Sequence, residues 1–134
     1  LPYRDRIVHQ WYIEEFIKEY YYKRFIKDTY ACIDNRGTHK AVYNLQKYMI
    51  KMKKQHENYY VLKCDIKKYF YTIDKKVLLE ILSKKIKDKK IMNLTKNILN
   101  DGSSIGIPIG NYTSQFFANI YLNELDQYIK KICE

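Results

Sequence analysis

The sequence predicts an α+β fold, and three observations carry that expectation. Long stretches repeat apolar residues at three- and four-residue steps, one short stretch alternates them, and a Gly/Pro loop precedes a final helical run. With 134 residues, 46% hydrophobic and 30% charged, the chain has a globular composition and length for one compact domain. Fifteen Tyr against five Phe and one Trp suit half-buried surfaces with a wet edge.

From Asp5 to about Phe25, the residues Val8, Trp11, Tyr12, Phe16 and Tyr20 form an apolar stripe between Glu14, Glu15, Lys18 and Glu19, which predicts an amphipathic helix. Asp34-Asn35-Arg36-Gly37 is a turn, after which Thr38 caps a helix running to about His56. Its apolar face is Ala41, Val42, Leu45, Tyr48, Met49 and Met52. Lys40, Lys47, Lys51 and Lys54 fall on the opposite side in one narrow stripe, since their offsets are near-multiples of the helical repeat. A solvated face has this pattern too. A basic stripe without Glu partners is also what phosphate contacts require.

Tyr59 to Ile66 alternates and predicts a strand, with Tyr60, Leu62, Cys64 and Ile66 on one face and Val61, Lys63 and Asp65 on the other. Asp74 is suited to N-cap a helix through about Lys87, with Val77, Leu78, Ile81, Leu82 and Ile86 inward. A further helix covers Lys89 to Asn100. Asp101-Gly102-Ser103-Ser104 is a turn, and Ile105 to Gly110, with Pro108 and two glycines, makes a loop of unusual backbone demands. From Thr113 a long helix follows, packing Phe116, Ile120, Leu125, Tyr128, Ile129 and Ile132.

A net charge of +10 and a pI near 9.4 call for solvation, screening or a polyanion, with nucleic acid ahead of an anionic membrane. Cys32, Cys64 and Cys133 are odd in number and far apart, so neither a disulfide framework nor a zinc site is indicated. No apolar run approaches the ~18 residues of a membrane span, and the first residues have no signal-peptide core, so a cytoplasmic protein without a membrane partner is expected.

Asp65 is an acid at the end of an apolar strand, the placement that holds Mg²⁺ beside a phosphate substrate. A lone Asp that turns the chain or pairs with Lys looks the same. Asp65 with Asp74 as an acid/base pair is weak, because Asp74 is explained as a helix cap. The Gly106-x-x-x-Gly110 spacing is neither a dinucleotide fingerprint nor a P-loop. His9, His39 and His56 have no i, i+4 partner and read as surface or interhelical residues.

Three stretches, in order, carry a resemblance. Val61-Leu62-Lys63-Cys64-Asp65-Ile66-Lys67-Lys68-Tyr69-Phe70-Tyr71-Thr72-Ile73-Asp74 resembles the first catalytic motif of bacterial and group II intron reverse transcriptases. Gly106-Ile107-Pro108-Ile109-Gly110, continuing through Ser114 to Asn119, resembles their next palm motif. Leu1 to Val8 and Arg36 to Ala41 resemble their fingers segments. Ile109 and Gln115 stand where most such enzymes carry Gln and Pro, a pattern similar to diversity-generating retroelement enzymes, in which it accompanies adenine-directed mutagenesis.

The resemblance implies helical fingers over about 1–58 and a partial antiparallel-sheet palm over about 59–134, ending before an aromatic-x-Asp-Asp motif. It implies RNA-directed DNA synthesis with Mg²⁺ (or Mn²⁺), an RNA template, a DNA primer and dNTP, and a small basic accessory protein as a further partner. Asp65 would be the catalytic acid and, with the carbonyl of Ile66, a metal ligand. Phe70 would be a steric gate against ribose, and Ile109 and Gly110 would line the nucleotide pocket. Arg36, Lys40, Lys47, Lys51, Pro108 and Ser114 would meet the template. The 134 residues alone are expected not to polymerise, because one carboxylate cannot organise two cations. The alternatives are a non-catalytic RNA-binding module and an orphan reverse transcriptase of abortive-infection type.

Overall fold

The computed structural model describes residues 2–100 and 103–133. In chain order it contains α1 (Tyr3–Tyr12), a π-helical segment (Ile13–Lys18), α2 (Glu19–Tyr22), α3 (Thr38–Gln55), α4 (Tyr69–Thr72), α5 (Lys75–Ser83), α6 (Lys89–Leu99) and α7 (Tyr112–Cys133). The described residues contain no strand. This overturns the α+β expectation and its antiparallel sheet; a single isolated antiparallel bridge joins Asp74 and Ile105.

The failed strand has a physical reason. Alternation marks which residues would share a face, but a strand persists only where a neighbour takes up its N–H and C=O groups. No such neighbour lies beside Tyr59 to Ile66 among the described residues, and the segment runs without regular structure, with Tyr60 96% and Leu62 88% exposed. Asp65 therefore does not end a strand.

The chain divides into two compact units: one takes the chain up to Ile26 and from Lys68 onward, the other is Lys27–Lys67. A single unit was expected from length, and these limits also differ from a division at 58/59. In the discontinuous unit the core forms where α1 and the π segment meet α7, with α5 and α6 closing it. Tyr12, Ile13, Ile17, Leu78, Leu82, Phe116, Phe117 and Ile120 are buried there. The predicted first helix is thus real, but its middle widens into π geometry, which Ile13 and Ile17 keep inward. Tyr12 donates to or accepts from Thr95 at 2.7 Å in the interior, and burial raises its phenol pKa to about 12.

The cap expected at Asp74 is present, and Asp88 adds one that was not foreseen. The Asp74 carboxylate accepts from the amides of Lys76 and Val77, and Asp88 does the same for Lys90 and Ile91 at the start of α6. α5 stops at Ser83, short of the expected Lys87, and Val77 is exposed while Leu78, Ile81, Leu82 and Ile86 are buried. α7 packs only its first half: Leu125, Tyr128, Ile129 and Ile132, expected inside, are exposed.

In the Lys27–Lys67 unit α3 lies against the turn-rich segment before it. Asn44 donates to the Tyr30 hydroxyl, and Tyr48 donates to the Asp28 carboxylate. α3 buries no residue, and its apolar face (Val42, Leu45, Met49 and Met52) is exposed. Gly37, not Thr38, occupies the N-cap position, with Thr38 the first helical residue.

Candidate nucleotide-binding cleft

The loop after α6 is joined to the Phe70–Lys75 stretch by three main-chain hydrogen bonds. The amide of Ile107 donates to the Phe70 carbonyl at 2.8 Å, Gly106 to Ile73 at 2.7 Å, and Lys75 to Ser104 at 3.3 Å, beside the Asp74–Ile105 bridge. The buried Lys75 ammonium reinforces the seam from its side chain, donating to the Ser103 carbonyl and hydroxyl at 3.1 Å. Gly106 (φ +85°) and Gly110 (φ +93°) turn the chain in the left-handed region, as the loop's composition foretold. The remainder of the expected turn, Asp101 and Gly102, lies outside the described residues. The Tyr69 hydroxyl donates to the Ala118 carbonyl at 2.7 Å and ties α4 to α7; burial raises that phenol's pKa.

These contacts bring Phe70, Pro108, Ile109 and Gly110 into one unit. Phe70 is half-buried, Ile109 is 61% exposed, and Ser114 is buried at 2% in the first turn of α7 rather than presented to solvent. Ile109, Gly110, Asn111 and Tyr112 face Arg6, His9 and Gln10 of α1 across an open cleft of about 520 Å³. Among the described residues no carboxylate lines it and Arg6 brings a guanidinium, so the cleft suits an anion or the polar edge of a base. Its far side continues into a second hollow, where Pro108 and Ile109 meet Asp5, Val8 and Asn97.

His9 is the residue that knits the cleft. Its Nδ1 lies 3.1 Å from the Thr113 hydroxyl, 104 positions on, which makes it interhelical as its sequence context suggested. Burial lowers its pKa, against an opposing pull from the Asp5 carboxylate. Tyr112 donates to Glu14 at 2.9 Å, and burial with that carboxylate raises its pKa to about 12. Arg6, His9 and Gln10 were not foreseen as cleft residues. Their signal was their spacing, i, i+3 and i+4, which puts all three on one face of α1.

Asp65, Ile66, Arg36, Lys40, Lys47 and Lys51 belong to the other unit. Asp65 is exposed and Ile66 is 42% exposed. The Arg36 guanidinium donates to the Thr29 carbonyl at 3.0 Å and Lys40 to that of Asn35 at 3.2 Å, whereas Lys47 lies over the Tyr43 ring at 4.3 Å. A carboxylate such as Asp65 is the right donor for Mg²⁺, but among the described residues no three His, Cys, Asp or Glu side chains cluster. The described residues do not by themselves fit a two-cation site. No described helix is long and apolar enough to cross a membrane.

No family model matches the chain. It is 34% identical to the COX1/OXI3 intron 2 protein of Saccharomyces cerevisiae over an 86-residue alignment, which takes in 57% of this chain and 10% of that protein. It is 36% identical over 77 residues to the 91 kDa protein in the cob intron of Schizosaccharomyces pombe, and 30% identical over 79 residues to the protein YkfC of Escherichia coli. These matches cover 51% and 52% of this chain, and 10% and 21% of the relatives. The chain is therefore similar to a part, about a tenth, of two longer intron proteins.

Proposed function

We propose that the chain is the fingers and the start of the palm of a reverse transcriptase, and that its parent protein copies RNA into DNA by metal-assisted nucleotidyl transfer. The observation that carries this reading is the seam between Phe70–Lys75 and Ser103–Ile107: the two stretches that resemble palm motifs, distant in sequence, are hydrogen-bonded to one another. The similarity to intron proteins supports it independently.

In this reading Asp65 and the Ile66 carbonyl supply oxygens to Mg²⁺ or Mn²⁺, with the remaining ligands from an aromatic-x-Asp-Asp turn elsewhere in the parent protein. Phe70 excludes the ribose 2′-hydroxyl, and Ile109 and Gly110 line the pocket for the incoming dNTP. The template strand runs over Arg36, Lys40, Lys47 and Lys51. The diversity-generating subfamily, with its small basic accessory protein, rests on Ile109 and Gln115 alone; an apolar side chain at 109 gives up amide hydrogen bonds that would check the nascent pair. In that case Ile109→Gln lowers misincorporation opposite template adenine.

The test uses a protein that carries this chain together with such a downstream turn. Asp65→Ala abolishes primer extension, and Phe70→Ala admits ribonucleotides. If Asp65→Ala extends primers normally, the reading is wrong. If the wild-type protein extends none while the chain holds RNA through α3, a non-catalytic RNA-binding module replaces it.

A further inference from the structure

The discontinuous unit carries a second surface that shares no lining residue with the cleft. A pocket of about 430 Å³ has an apolar floor of Phe16, Ile86 and Ile91 and a rim of Lys85, Lys87 and Lys90. Ile86 is buried, Phe16 and Ile91 half-buried, and the three lysines exposed. The rim's one carboxylate, Asp88, is occupied as the cap of α6, accepting from two backbone amides at 2.7 and 3.0 Å. Lys89 falls within the same basic run, and Lys84, which precedes it, pairs with Glu124 at 3.8 Å.

Aromatic rings interleave with these cations. Tyr20 has the Arg24 guanidinium 3.5 Å and the Lys85 ammonium 4.6 Å from its ring centre. Trp11, 48% exposed, meets Phe16 edge-on at 5.1 Å. We infer that this surface, formed by the π segment, α2 and the α5–α6 connection, binds single-stranded RNA, with a base in the apolar pocket and phosphates on Lys85, Lys87 and Lys90. Single strands alternate a flat apolar ring with an anion, and the surface alternates their complements. A duplex hides its bases, and an acidic peptide uses the lysines but leaves the pocket empty.

The inference stands apart from polymerisation, and its test needs none. Trp11 is the chain's only tryptophan, so its emission reports on this surface. Titrating the 134-residue chain with a short oligouridine quenches that emission, and an RNA duplex of equal length binds about tenfold more weakly. Lys85→Gln/Lys87→Gln/Lys90→Gln, confined to exposed side chains, keeps the circular dichroism spectrum and abolishes the quench. It also lowers the slope of log Kd against log salt by about two, at roughly 0.7 per released single-strand phosphate. Lys47→Gln/Lys51→Gln on α3 and Asp65→Ala leave the quench in place. Equal binding of duplex, equal quenching by polyglutamate, or a quench lost only with the α3 variant overturns the inference.

Discussion

Ile107 donates its amide to the carbonyl of Phe70 across 2.8 Å, although 36 intervening residues separate them. The contact fixes where the Gly106–Gly110 loop begins relative to α4, and the Lys75 ammonium secures it from the Ser103 side. Lys75→Met removes that donor and leaves a part-buried carbonyl without it, at a cost of about 1–3 kcal/mol. Urea unfolding measures the loss, and the amides of Gly106 and Ile107 exchange faster by the same free energy.

A Cβ on Gly106 would lie 3.1 Å from the Tyr71 carbonyl oxygen and 3.3 Å from its Cα, at a φ of +85°. Gly110, at +93°, has nothing within 4 Å of its added Cβ. Gly110→Ala therefore costs about 1 kcal/mol of backbone strain, and Gly106→Ala about 2 kcal/mol or more, because backbone must also move. Thermal midpoints of the two variants, measured side by side, separate conformational strain from steric conflict.

Asp74 and Asp88 each satisfy two first-turn amides. Asp74→Ala and Asp88→Ala each destabilise the chain by about 1 kcal/mol, and the Asn variants by less. Additivity in the double variant is expected, since the caps serve different helices.

Burial lowers the His9 pKa below that of an unfolded histidine, near 6.5. As pH falls through 6.5 the unfolded chain takes up a proton that the folded chain resists, so His9 costs stability on acidification until its own lowered pKa is passed. Unfolding free energy measured between pH 7.5 and pH 5 declines, and His9→Gln flattens that decline. A His9 that titrates no differently in the folded chain would leave the two profiles parallel.

The helices were legible because their signals are local. Asp74 announces α5, Thr38 places the start of α3 within a residue, and the run from Thr113 places that of α7 within a residue. What escaped depends on neighbours far along the chain. Alternation in Tyr59–Ile66 says which side chains would share a face and nothing about a pairing strand. The apolar stripe of α3 is equally genuine and equally uncovered, while Leu125 and Ile129 continue a periodicity that α7 buries only near Phe116 and Ile120. The π segment has no period of its own to betray it. At the site, Ile109 and Gly110 came from the family resemblance of the loop's motif, whereas Arg6 and His9 acquire meaning only once Thr113 and Asn111 stand opposite them.

The core is assembled from the two ends of the sequence, and this shapes how the chain comes to fold. Tyr12 waits for Thr95, His9 for Thr113 and Glu14 for Tyr112, separations of 83, 104 and 98 residues. During synthesis the first helix emerges with Tyr12, Ile13 and Ile17 unburied and stays so until α7 is made, a delay of about 5–20 s at roughly 5–20 residues per second. Lys27–Lys67 forms a compact unit of its own from a continuous stretch of chain and is free of that delay. Until α7 is made, the nascent chain therefore holds an apolar helix face that a chaperone or a neighbouring chain can engage.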